Sequence, residues 1–185
     1  MRKKQTLRPV VTGVCVCMLA LLAGSCSEPP GGMGKSPVFL TAENGEDLWA
    51  LWFDVYNSAL PGGVGDEMFQ ITIKSNYKNP DLTSSYADVV IQEYHVSYYR
   101  PDGKQPVPAP FMLQLTSTVP AGESKTINTL VLRRDAKLRS PLKELVLGGG
   151  EGYIDLVAVI DFYGEDLMGN NHHVRYHLSM LASDM

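Results

Sequence analysis

The chain has 185 residues, of which 44% are hydrophobic and 19% charged, a balance that suits one packed domain and excludes a disordered polymer. Its formal charge is −4 at neutral pH, and beyond residue 25 the count is 12 basic against 20 acidic residues. Such an acidic surplus repels phosphate backbones, so nucleic acid is not an expected partner.

Arg2, Lys3, Lys4 and Arg8 open the chain and are followed by an apolar run, Val10 to Ala23, broken only by Thr12 and Gly13. At roughly 14 residues the run falls short of the ~20 needed to cross a bilayer and has the proportions of a signal-peptide core. It ends Leu22-Ala23-Gly24-Ser25-Cys26, which resembles the lipobox of bacterial lipoproteins. That resemblance implies a signal peptide over residues 1–25, cleavage before Cys26 and a diacylglycerol on the Cys26 sulfur. The membrane is then a partner through the N-terminal lipid, since two or more acyl chains anchor stably. Ser27, where an Asp would signal inner-membrane retention, favours a cell-envelope location at the outer membrane, facing the periplasm or the cell surface. The alternative is an ordinary secretory signal cut near Ala23 or Ser25.

The cysteines are Cys15, Cys17 and Cys26, so the chain beyond position 26 holds no disulfide, thiolate metal site or cysteine nucleophile. Residues 26–37 are rich in Pro and Gly and read as a tether, leaving 38–185 as the folded domain.

Leu48 to Leu60 reads as a strand with Trp49, Leu51, Phe53 and Val55 on one face; a short amphipathic helix is the alternative. Phe69, Ile71 and Ile73 then alternate with Gln70, Thr72 and Lys74. Val90, Tyr94, Val96 and Tyr98 share one face of the next segment, and Glu93, His95, Ser97 and Tyr99 the other. Phe111, Leu113 and Leu115 alternate with Met112, Gln114 and Thr116, and Ile127 to Leu132 is β-rich. Ala136 to Leu147 departs from this pattern. Leu138, Leu142 and Leu145 are helically spaced with Pro141 near a helix start, which predicts a short crossover helix. Ile154, Leu156, Ala158, Ile160 and Phe162 mark one long strand face, and Val174, Tyr176, Leu178 and Met180 the last. Period-two alternation of this kind marks strands with one buried face.

Turn chemistry separates the strands. Arg100-Pro-Asp-Gly103 places Pro second in a turn, Val119-Pro-Ala-Gly122 is read the same way, and Gly164 to Asn171 is expected to be a long hairpin loop. With no long amphipathic helix, the pattern predicts an all-β sandwich rather than alternating βαβ units. The runs Asp88 to Gly103, Val119 to Gly122, Ala136 to Leu145 and Asp161 to Gly164 resemble uncharacterised exported lipoproteins with an immunoglobulin-like domain. The resemblance covers roughly residues 65–182. It implies a Greek-key sandwich of about seven strands and no established reaction.

Asp155, Asp161, Glu165, Asp166, His172, His173 and His177 all fall on the last hairpin, and His173, His177 and Asp161 are the weak metal candidates by residue type. Arg175 shares the histidines' face and opposes a cation there. The face parities allow a few registers: with Phe162 opposite Val174, Asp161 faces Arg175, and a slip of two puts it against His173 or His177, in each case an ordinary cross-strand pair. Glu165, Asp166, Asn170 and Asn171 supply oxygens that suit calcium without the alternation of an EF-hand loop. No nucleophile elbow, P-loop or dinucleotide fingerprint is present, so neither an enzyme nor a cofactor is expected. Trp49, Trp52 and Tyr56 form the dense aromatic group. Such residues most often fill a core, and exposed they would mark a binding surface. The expectation is a lipid-anchored, non-enzymatic interaction or structural module with a possible envelope protein partner. A small-ligand or metal sensor built on the last hairpin is the alternative.

Overall fold

A computed structural model describes residues 36–45, 50–56, 62–81 and 83–184. The leader, Cys26, residues 27–35 and Trp49 lie outside the described residues. Eight strands are present: β1 (Val38–Asn44), β2 (Ala50–Asp54), β3 (Glu67–Tyr77), β4 (Val89–Tyr99), β5 (Phe111–Val119), β6 (Ser124–Leu132), β7 (Tyr153–Asp166) and β8 (Asn171–Ser183). They form a three-stranded sheet, β1-β3-β6, and a five-stranded sheet, β2-β8-β7-β4-β5. Every pairing is antiparallel except β2 with β8.

The chain changes sheets between β1 and β2, β2 and β3, β3 and β4, β5 and β6, and β6 and β7, which is the Greek-key wiring of an immunoglobulin-like sandwich. Eight strands stand where about seven are expected: Ala50–Asp54 is the strand expected within Leu48 to Leu60, and Val38–Asn44, where none was expected, adds β1 to the three-stranded sheet. The core lies between the sheets. Phe69, Ile71 and Ile73 of β3 meet Leu156, Ile160 and Phe162 of β7, all at 1% exposure or less. Each such side chain contributes about 1.5–3 kcal/mol of burial. Two tyrosines of β4 do more than fill space. The Tyr98 hydroxyl donates to the Val131 carbonyl at 2.7 Å, and the Tyr94 hydroxyl accepts from the Leu130 amide at 3.1 Å. These two hydroxyls occupy polar groups on the free edge of β6.

Several sequence expectations need correction. Val90 does not share the inward face with Tyr94; Val89 and Ile91 point inward instead. A β-bulge at Gln92, the extra residue where the pairing with β7 shifts between Ile91 and Glu93, reverses the parity midway along β4. The last hairpin is also tighter than expected. β7 runs on to Asp166 and β8 begins at Asn171, because the Asp166 carboxylate accepts hydrogen bonds from the backbone N–H groups of Met168 and Asn170 and organises a four-residue loop. In the β5–β6 turn, Pro120 is first rather than second. Glu123 N–H bonds to the Pro120 carbonyl, and Gly122 takes the left-handed position at φ 81°.

The crossover from β6 to β7 is not one helix. It is a single turn, α1 (Arg134–Lys137), followed by a 3₁₀ segment over Leu142–Gly148. Leu142 and Leu145 are buried as expected, but Leu138 is 52% exposed and Lys137 points inward in its place. Lys137 forms an ion pair with Glu67, donates to the Asp54 carbonyl at 2.8 Å and lies 5.1 Å from the centre of the Phe53 ring. The crossover is therefore pinned to β2 and β3 by a buried cation.

Candidate functional site

The outer face of the five-stranded sheet, turned away from β1-β3-β6, carries two distinct clusters. One begins at β2. Leu51, Phe53 and Val55 turn toward the core, which sends Trp52 to the opposite face at 68% exposure. The parallel pairing with β8 sets Trp52 opposite Leu181, and the next pairing sets Leu181 opposite Asp155. One step along, Ala50, Ser179 and Val157 fall in line, and two of those three side chains are small. The result is a largely apolar groove of about 590 Å³, lined by Trp52, Val157, Leu181 and Pro101 with Asp155 as its charged member.

Pro101 reaches the groove from the β4–β5 turn, closed by the Gly103 amide on the Arg100 carbonyl at 3.0 Å. Arg100 fixes that turn. Its buried guanidinium donates to both carboxylate oxygens of Asp102, at 3.0 and 2.7 Å, and to both of Glu151, at 2.9 Å each. Lys104 adds a bond to Glu151 at 2.6 Å. The hydrogen bonds from Arg100 hold both carboxyls at about 2, Glu151 with further help from Lys104. Two planar forks on one guanidinium leave the turn little freedom, so the Pro101 wall stands preformed. Nothing in the sequence pattern joins Arg100 to Glu151, 51 positions away.

The second cluster crosses β4, β7 and β8 nearer the hairpin loop. His95 Nε2 lies 3.1 Å from the Glu93 carboxylate, and its ring lies 4.9 Å from that of Tyr163. Tyr163 stacks on His173, also at 4.9 Å. His173 contacts Asp161 at 2.6 Å, and Asp161 receives Arg175 through two bonds of 2.7 and 3.1 Å. The Asp161–Arg175 register is one of the few the alternation allows. Burial would raise the Asp161 carboxyl, but the bonds from Arg175 and His173 outweigh it and hold it below its ordinary value. His177 stands apart, opposite Val159. Asp161 and His173 are thus brought together and His177 is not. Among the described residues no group of three or more His, Cys, Asp or Glu side chains is placed to hold a metal ion.

The oxygens considered for calcium are committed elsewhere. Asp166 is buried, and its carboxylate accepts from the Asn170 amide and side chain at 2.9–3.0 Å and contacts His172 at 3.2 Å. Burial pushes that carboxyl up, but the bonds from Asn170, Ser36 and His172 prevail and hold it at about 2. Glu165 points to the outer face instead.

Of the aromatic group, Trp52 and Tyr56 are both exposed, Tyr56 at 41%, and Trp49 lies outside the described residues. Among the described residues no helix is long and apolar enough to cross a membrane. Compared with known proteins, the chain matches no family model and no curated sequence.

Proposed function

We propose that this chain is a lipid-anchored, non-enzymatic module of the cell envelope that binds a partner protein through the groove beside Trp52. The observation that carries the reading is Trp52 itself, 68% exposed on a rigid sheet face next to an apolar trough. An exposed Trp loses apolar surface to water until a partner covers it, and Trp is among the residues that most often dominate protein interfaces. The groove is walled by a turn locked through Arg100, so little ordering cost falls on the domain when a partner docks.

The groove lies far from the N-terminal end of the described domain. Ser36 bonds to Asp166 at one end of β7, whereas the groove takes Asp155 and Val157 near the other. Val157 and Asp166 are nine residue steps apart along β7, roughly 30 Å.

The test uses tagged full-length protein purified from solubilised membranes. A partner protein is expected with wild type and with a Thr72→Ala control on the other sheet, and its recovery is expected to fall at least tenfold with Trp52→Ala. The same protein set from all three would overturn the groove. Labelled palmitate is expected on wild type and absent from Cys26→Ala.

A further inference from the structure

Trp52, Leu181 and Asp155 form one row across β2, β8 and β7 on the outer face of the larger sheet. Adjacent strands lie about 5 Å apart, so Leu181 is the midpoint of the row, with the Trp52 strand on one side and the Asp155 strand on the other.

The charges around this row do not cancel. Arg100 and Lys104 stand close by, but Asp102 and Glu151 take up both of them, two cations against two carboxylates. Asp155 is exposed and has no hydrogen-bond or ion-pair partner among the described residues. It lines both the apolar groove and the smaller hollow beside the Arg100 turn. Tyr153, two positions earlier on the same face of β7, is 59% exposed, so aromatic rings stand on two sides of that carboxylate.

An occupant that covers the groove takes water away from Asp155. A neutral apolar segment would bury the carboxylate without a donor, the costliest arrangement for a charge. A cation removes that penalty. Arginine suits the place better than lysine, because its weakly hydrated planar head stacks on an aromatic face and presents a fork to a carboxylate. Residues 26–185 carry 20 acidic against 12 basic groups, a surplus that draws a basic partner toward the domain.

We propose, resting on the docking face described above, that the partner inserts an arginine flanked by apolar residues into the groove. Its guanidinium lies over Leu181, between the Trp52 ring and the Asp155 carboxylate, and its apolar neighbours meet Val157 and Pro101.

The experiment titrates full-length protein, labelled with ¹⁵N-tryptophan and held in a neutral detergent, with two probes. One is N-acetyl-leucyl-arginyl-leucinamide, and the other carries citrulline, an uncharged near-isostere, in place of arginine. The readout is the Trp52 indole N–H resonance, assigned by its loss in Trp52→Phe. The arginine peptide is expected to move that resonance with a Kd lower than the citrulline peptide's by about fivefold or more. Asp155→Asn, which keeps the side chain's shape, is expected to make the two peptides bind alike. Equal affinity of the two peptides for wild type would overturn the proposal, since a neutral ligand would then suit the groove as well. So would a preference for arginine that survives Asp155→Asn, or a Trp52 resonance that neither peptide moves. Partner recovery with Trp52→Ala judges the docking face separately: a partner lost with Trp52→Ala but fully retained with Asp155→Asn would keep the face and remove the arginine.

Discussion

Gly164 of β7 lies so close to β4 that a Cβ at that position would stand 2.5 Å from the Val90 carbonyl oxygen. The approach is a consequence of the Gln92 bulge, which shifts the pairing so that Ile91 sits opposite Gly164. A glycine inside a strand commonly marks such a close backbone approach. Gly164→Ala therefore forces two backbones apart at the centre of the larger sheet. The expected cost is about 2 kcal/mol or more, read as a lower urea midpoint with an unchanged slope.

Lys137 is a second point of vulnerability. Lys137→Met keeps most of the stem's packing on Phe53 but strips the Glu67 carboxylate and the Asp54 carbonyl of their donor. Fully buried pairs cost about 3–5 kcal/mol when one partner is removed, and Glu67 keeps some solvent, so about 2–3 kcal/mol is expected here. Removing both charges, as Lys137→Met with Glu67→Leu, should recover most of that loss in a double-mutant cycle of denaturation measurements. Equal losses in the single and double variants would show that the ion pair is not what holds the crossover.

Acid should find the hairpin loop. Asp166 titrates at about 2 in the fold against 3.8 as a free side chain, and a carboxyl depressed in this way stabilises the folded state above its unfolded value. That stability, about 2 kcal/mol, is complete above about pH 5 and is lost as the pH falls from roughly 4 toward 2. Asp166→Asn should lower neutral stability by a similar amount and flatten the decline over that window. Thermal melts of wild type and variant across pH 2 to roughly 7 compare the two slopes. Parallel curves would mean that other carboxyls, Asp102 and Glu151 among them, carry the acid sensitivity.

Most strand faces and the parity of the last hairpin were legible because alternation has a period of two: once Phe162 points inward, Asp161 must face Arg175 or a residue of the same parity, and the structure selects Arg175. The Gln92 bulge was not legible, since a parity reversal leaves no mark in a run such as Val89-Val-Ile-Gln-Glu-Tyr94 that is apolar at one end and mixed at the other. Lys137 was missed for a related reason. Leu138 offered the expected apolar contact, and only the position of Glu67, seventy residues away, makes a buried lysine the better fit.

The groove depended on tertiary placement. Alternation separates Trp52 from Leu51 and Phe53, but its exposure follows from β2 forming the sheet edge and from Ala50 and Ser179 being small where they meet. The Arg100 clamp on Pro101 needs Glu151, which the sequence shows only as a charge in a glycine-rich stretch. Asp161, Arg175 and His173, by contrast, form the cross-strand polar contacts that their spacing suggests, and the tight Asp161–Arg175 fork leaves that carboxylate little to offer a cation.

The claim that Trp52 marks the docking surface is tested most directly by a photo-crosslinking amino acid placed at position 52 in living cells, with position 72 on the opposite sheet as the reference. A discrete protein adduct from position 52 and none of that mass from position 72 is the predicted result. No adduct from position 52, or the same adducts from both faces, would contradict it.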